Sequence, residues 1–454
     1  MTTPTNQEFA PTTAVLLAAG MGTRLRDNSN RPKPLTLVLG LSLAERIVCT
    51  FQKDLGVRRF LVVVGYEAET VKAHFHDICA GRGVKVEFAE AEHWSLGNGA
   101  SALAAKGLTG DSPFFLAMSD HLFDPEIGKM LIRHKPADGQ ACLAVDGNKN
   151  GNFDFDDVTR VKIKKGCIIE IAKSLDDWDA ADTGLFLSTP GIFDGLERAA
   201  AKGLNGLSDG MRELARDKRA IAVDVTGHGW LDVDTPEALR EAESRLLRTE
   251  RGKTSDGPVS RLINRPISRW LTGFLVRTAI TPNQISLVSW LLSVIAALTF
   301  TLGGYAALAV GGAIAQLASI IDGCDGEIAR LKRMESEFGG WFDAVLDRYA
   351  DAFLLFGLLW HTLPAPGDPT VLAIGFAAIV GAFMNSYTAD KYDGLMARKL
   401  SGRRHFRLGR DVRVLVIFVG ALLNQPLLIL IVIAILTNAE VLRRIVLCRQ
   451  ATTS

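Results

Sequence analysis

Asp322–Asp347, DGCDGEIARLKRMESEFGGWFDAVLD, sets Asp322, Asp325, Asp343 and Asp347 between strongly apolar segments. Asp322 and Asp325 stand three apart at the end of one apolar run. Asp343 and Asp347 stand four apart at the start of the next, so each pair shares a helical face. Gly339 and Gly340 between the pairs permit a turn. Ionised carboxylates beside a bilayer core are costly unless a cation compensates them. Two such faces brought together make an oxygen-rich cage, the donor set that Mg2+ or Mn2+ prefers. The competing reading is a solvated acidic loop. It accounts for the carboxylates but not for Gly326, Ala329, Arg330 and Gly339 at their offsets from them.

The full spacing, D-x2-D-G-x2-A-R-x8-G-x3-D-x3-D, resembles the signature of the CDP-alcohol phosphatidyltransferase superfamily. The resemblance implies a membrane enzyme in which the hydroxyl of one alcohol displaces CMP from a CDP-alcohol. It implies that Asp322, Asp325 and Asp343 are mainly metal ligands and that Asp347 is the base, also touching a metal. Gly326 and Ala329 would let the CDP group approach the helix backbone, with Arg330 facing its phosphates. Carboxylate-held metal that neutralises a pyrophosphate, and a carboxylate that takes a proton, suit this chemistry.

Around this stretch, apolar segments at 285–302, 305–321, 341–362, 370–388, 409–423 and 426–442 predict an all-α domain with six transmembrane spans over 284–454. One set of connecting loops (GGY, LPAPGD, NQP) lacks Lys and Arg. The other (ARLKR, KYDGLMARKLSGRRHFRLGRDVR, the tail LRRIVLCR) is basic. The positive-inside rule then predicts a multi-pass inner-membrane protein with both termini and the aspartates cytoplasmic. The basic loop reads equally as a lipid-headgroup contact or a substrate element. Arg410 and Arg413, at the entry to the fifth span, are candidates to hold an anionic acceptor. Upstream, 261–283 interleaves Arg265, Arg269 and Arg277 with Trp270, Leu271, Phe274 and Leu275, which predicts an amphipathic interfacial helix. Thr281-Pro282-Asn283 reads either as a helix stop and start or as a segment reaching the nucleotide. The polar stretch 248–260 reads as a linker.

A chain of 454 residues is too long for one ordinary core, and its apolar content is concentrated towards the C-terminus. A net charge of +1 gives no argument for nucleic acid, and six scattered cysteines without CxxC spacing indicate neither disulfides nor zinc. The N-terminal tail, 1–12, has no basic region of the kind a signal peptide carries.

Residues 13–247 give a second signal. AVLLAAGMGTRL is an apolar strand followed by Gly20, Gly22, Thr23 and Arg24 in a tight loop, with Lys33 shortly after in RPKPL. Glycines let backbone N–H groups close on phosphates, and Arg24 with Lys33 balance a triphosphate's charge. LAAGxGTRL followed by PKPL resembles the sugar-phosphate nucleotidyltransferase family. The resemblance implies that Gly97, Asn98 and Ser101 contact base and sugar, that Asp120 and Asp232, with Asp234 close by, bind metal, and that Lys173 and Asp182 hold the phosphorylated alcohol. Strands alternating with helices predict a doubly wound, Rossmann-like α/β cytoplasmic domain.

The first domain would make an NDP-alcohol and the second would consume a CDP-alcohol, so the fusion argues for CTP. Both halves in this order resemble bifunctional enzymes that join CTP to inositol 1-phosphate and pass the inositol phosphate to a second inositol 1-phosphate. The resemblance also implies a homodimer through the membrane spans. Alternatives are a cytidylyltransferase for another phospho-alcohol serving a lipid or other acceptor, a membrane half using CDP-diacylglycerol, and a nucleotide-regulated polyol transporter. The transporter predicts charges along a path through the spans, whereas these cluster at one face.

Overall fold

The computed structural model describes residues 11–25, 31–149, 158–249, 257–363, 367–396 and 409–453, with side chains described outside 390–396 and 450–453. Most of the predicted tail and linker, and the centre of the basic loop, lie outside the described residues. The chain divides into two compact units, Met1–Arg245 and Leu246–Ser454.

The first unit is built on a nine-stranded sheet: β1 Thr13–Ala18, β2 Arg59–Val64, β3 Lys85–Glu90, β4 Phe114–Met118, β5 Ala141–Asp146, β6 Arg160–Lys164, β7 Cys167–Ala172, β8 Ala180–Ser188 and β9 Ala220–Asp224. Its order is β3-β2-β1-β4-β8-β5-β9-β7-β6. β1 is parallel to β2 and β4, while β8 runs antiparallel to β4 and β5. β1 explains why a continuous apolar run folds as a strand here. Ala14, Leu16 and Ala18 enter one core and Val15 and Leu17 the other, so helices cover both faces. This is the doubly wound architecture expected, with an antiparallel strand in its middle.

The second unit is helical: α1 Arg265–Leu275, α2 Pro282–Thr301, α3 Gly304–Leu331, α4 Glu337–Thr362, α5 Pro369–Met396, α6 Arg410–Leu422 and α7 Pro426–Thr453. Thr281 caps α2, its Oγ1 accepting from Gln284 N at 3.4 Å while Gln284 Oε1 accepts from Thr281 N at 2.9 Å. The helix-start reading of Thr281-Pro282-Asn283 is therefore realised. α2 packs on α3 and α4, and α5 on α7. Small residues allow the close approaches: a Cβ on Gly357 of α4 would lie 2.4 Å from Ala297 O of α2. Among the described residues, four stretches are long and apolar enough to cross a membrane: Pro282–Thr301, Gly304–Leu331, Pro369–Ala389 and Pro426–Arg449. α4 carries Asp343, Asp347, Arg348 and Asp351 between its N-terminus and its middle, and α6 has 13 residues.

Candidate functional site

In the first unit the loop after β1 carries Gly20, Gly22, Thr23 and Arg24 along a cavity of about 240 Å³, which Lys33, Asp120 and Asp234 also line. Gly22 has φ +61°, and a Cβ there would lie 2.6 Å from Lys33 Cβ. Glycine thus lets the lysine stem cross the loop. A short ribbon, His121–Phe123 against Trp230–Asp232, sets His121 opposite Asp232 and brings two distant segments together. Lys33 Nζ then lies 2.5 Å from Asp120 Oδ2 and 3.5 Å from Asp232 Oδ1, and it also pairs with Asp234. Arg24 Nη2 meets Asp234 Oδ2 at 2.6 Å. His121 Nδ1 is 2.8 Å from Asp120 Oδ1.

One ligand atom from each of Asp120, His121 and Asp232 falls within 4.8 Å of the others, and the two carboxylates among them offer the oxygen donors that suit a divalent cation. Asp234 stands beside this trio, engaged by Lys33 and Arg24. Burial alone would raise the Asp120 pKa, but Lys33 and His121 outweigh it and hold the carboxyl well below its usual range. Burial would likewise lower His121, yet Asp232 and Asp120 lift it to about 9. His121 was not among the expected site residues. A histidine after Asp120 has no spacing signal, and only the pairing of the ribbon reveals its place.

A larger cavity of about 660 Å³ adjoins, lined by Arg24, Asn98, His121, Lys173, Asp182, Gly184, Asp232 and Asp234 among others. The β8–β5 register shifts between Asp182 and Phe186, and Gly184 adopts φ +73°. A Cβ on Gly184 would lie 2.6 Å from the His121 ring, so glycine admits the imidazole. Asn98 Oδ1 accepts from Leu207 N at 2.8 Å while the residue lines the cavity. Gly97 and Ser101 line neither cavity: Ser101 Oγ donates to Gly97 O at 3.2 Å, and both shape the turn behind Asn98.

Burial pushes the Asp182 carboxyl up to about 6, although it accepts from Gly184 N at 2.7 Å. A carboxyl raised from 3.8 to about 6 gives stability that is full below pH 4 and lost as pH rises through 6. A shift of that size amounts to roughly 3 kcal/mol. Asp182→Asn keeps the acceptor oxygen and removes the charge. It should match the parent Tm near pH 4 and exceed it by a few degrees at pH 7; equal Tm values at both pH values would refute the assignment.

In the second unit, Asp322, Asp325 and Asp343 offer oxygens within 4.8 Å of one another, a set that fits a hard divalent cation. α2 fixes two of them: Ser289 Oγ donates to Asp322 Oδ1 at 2.9 Å and Ser286 Oγ to Asp325 Oδ2 at 2.5 Å. Asp347 lies outside that trio. Arg410 Nη1 sits 2.5 Å from its Oδ1 and 3.1 Å from Asp322 Oδ2. Arg413 is buried against Asp351 at 2.5 Å, with Arg410 at 3.5 Å from the same carboxylate. Gly326 N donates to Asp325 Oδ1, and a Cβ there would lie 3.2 Å from Arg330 Nη1. Ala329 precedes Arg330 on the same turn of α3, near its C-terminus. Asp351 is outside the motif spacing, although it continues the four-residue interval of Asp343 and Asp347. Ser286 and Ser289, three apart in an apolar helix, carried a similar signal.

Residues 13–249 match the nucleotidyl transferase family and residues 279–384 the CDP-alcohol phosphatidyltransferase family. The chain is 38% identical to a bifunctional IPC transferase and DIPP synthase of Rubrobacter xylanophilus, covering 96% of each chain. It is 35% identical to the protein of the same name from Aquifex aeolicus, over 96% of this chain and 97% of the relative. The first unit is similar to the inositol-1-phosphate CTP transferase structure from T. maritima, with TM-score 0.47, 24% identity, and coverage of 52% of this chain and 96% of that one.

Proposed function

Because this chain belongs to the family of bifunctional IPC transferases and DIPP synthases, we propose that it makes an inositol phosphodiester in two steps, one in each unit. In the first, a phosphate oxygen of inositol 1-phosphate attacks the α-phosphorus of CTP. The α–β bridge breaks, giving CDP-inositol and pyrophosphate. In the second, a hydroxyl of another inositol 1-phosphate attacks the phosphorus bearing the inositol. Its proton goes to a carboxylate, and CMP leaves. The observation that carries this reading is the presence of two carboxylate clusters, each fit for a divalent cation, one per unit.

At the first site the loop of Gly20, Gly22 and Thr23 offers backbone N–H groups to the triphosphate. Arg24 and Lys33 exchange their carboxylate partners for phosphate oxygens, and Lys173 and Asp182 in the larger cavity orient the inositol phosphate. Asp120 and Asp232, with His121 beside them, would hold Mg2+ or Mn2+. At the second site Asp322, Asp325 and Asp343 would hold the metal, and Gly326, Ala329 and Arg330 would form the face that meets CDP. At both sites a bound divalent ion offsets the charge that develops on the phosphates. Asp347 takes the proton from the attacking hydroxyl. Arg410 fixes that carboxylate and, with Arg413, supplies positive charge where an anionic acceptor docks.

The apolar helices make this a membrane protein. We read α2 to α7 as six passes with the basic loops, both termini and both sites cytoplasmic, where CTP is found. Ile267, Trp270 and Phe274 are exposed along α1 and rest in the lipid interface. Two copies pair through their spans.

The test is to incubate the purified chain with CTP, Mg2+ and a panel of phosphorylated alcohols, resolving products by mass spectrometry. Inositol 1-phosphate should yield CDP-inositol, then the phosphodiester. A preference for another alcohol would redirect the substrate assignment.

A further inference from the structure

The end of α3 that carries Asp322 and Asp325 is held from behind by α1. Three side chains of α1 converge on one fully buried carboxylate, Glu327 of α3. Its Oε1 accepts from Arg265 Nη1 at 2.8 Å and from Ser268 Oγ at 2.7 Å, and its Oε2 accepts from Thr272 Oγ1 at 2.7 Å. The same Arg265 Nη1 also donates to Gly323 O at 3.0 Å, a carbonyl between the two aspartates. One turn earlier, Asn264 donates to Ser319 Oγ at 3.2 Å and accepts from Gln316 Nε2 at 2.9 Å. At about 100° per residue, Glu327 lies roughly opposite Asp322 and Asp325 around the helix. The grip on the back of the turn therefore sets where its front points.

An apolar seam would hold the two helices together equally well, but it tolerates sliding and rotation. A buried carboxylate with a guanidinium and two hydroxyls is satisfied in one register only. The outward face of this segment is apolar instead, with Ile263, Ile267, Trp270 and Phe274 exposed at spacings of four, three and four. Its polar face is the buried one.

We infer that Glu327 and Arg265 are positioning residues for the second reaction. They fix the rotation of α3 so that Asp322 and Asp325 meet Asp343 as a preformed cation cage. This rests on the reading of those three aspartates as metal ligands. Groups that orient ligands from behind change metal affinity about 10- to 100-fold when lost.

The experiment uses the full chain in nanodiscs, with Asp120→Asn introduced so that Mn2+ counted by EPR reports the membrane site. Glu327→Gln should weaken Mn2+ binding about tenfold. On the otherwise native chain, the same change should raise the Mg2+ concentration needed for half-maximal phosphodiester synthesis from supplied CDP-inositol, with CDP-inositol formation from CTP unchanged. Parent-like Mn2+ affinity in Glu327→Gln would overturn the inference. Should that variant not fold, the paired change Arg265→Met with Glu327→Met replaces the ion pair by apolar groups that can pack. It should also bind Mn2+ weakly; parent affinity there would mean that packing alone suffices and would overturn the inference. Asp322→Asn is the control, and Mn2+ binding retained in it would overturn the underlying metal assignment instead.

Discussion

Asp347→Asn is expected to stop the chain after its first reaction, with CDP-inositol accumulating from CTP and inositol 1-phosphate. The amide keeps the volume and can still accept from Arg410 Nη1, which lies 2.5 Å from Asp347 Oδ1 in the parent. It cannot take the proton of the attacking hydroxyl, a role worth about 10²–10⁴-fold. Mn2+ binding at Asp322, Asp325 and Asp343 should change little, since Asp347 lies outside that trio. The measurement is the rate of phosphodiester formation from supplied CDP-inositol. An undiminished rate would assign the base elsewhere, and Asp351, held by Arg413 at 2.5 Å, is the next carboxylate on the same helical face.

Asp120→Asn should produce the complementary defect. Asp120 contributes to the cation set with His121 and Asp232, and it also receives Lys33 and His121. Its loss removes one of the proposed metal ligands and releases Lys33 from one of its anchors. CDP-inositol formation should fall by about 10²-fold or more, the scale for losing one electrostatic contact to the transition state. Supplied CDP-inositol should still be converted at the parent rate. Loss of both activities in this variant would mean that the two sites are not independent.

The parts legible in the sequence are those carried by local spacing. Asp322, Asp325 and Asp343 were readable because helical periodicity alone puts them on two faces. Gly20, Gly22, Thr23, Arg24 and Lys33 were readable because a loop after an apolar strand keeps its residues close together. β1 is legible as a strand in its unbroken apolar run, and the structure buries it on both faces. Gly97 and Ser101 show the reverse: they lie within three residues of Asn98 in sequence, yet only Asn98 lines the cavity, because Gly97 is the N-cap of the short helix and Ser101 is buried within it.

Sequence by itself determined that this chain has an α/β part followed by a set of apolar helices, and which residue types each brings to its candidate site. Tertiary structure decided which of those side chains meet. The ribbon that sets His121 against Asp232 placed the histidine in the first cluster, packing with α6 gave Asp347 to Arg410 and Asp351 to Arg413, and α1 turned its polar face onto Glu327. The reason is physical. Periodicity fixes the direction of a side chain within its own element, whereas a charge buried between elements finds its partner only through the packing that desolvates both.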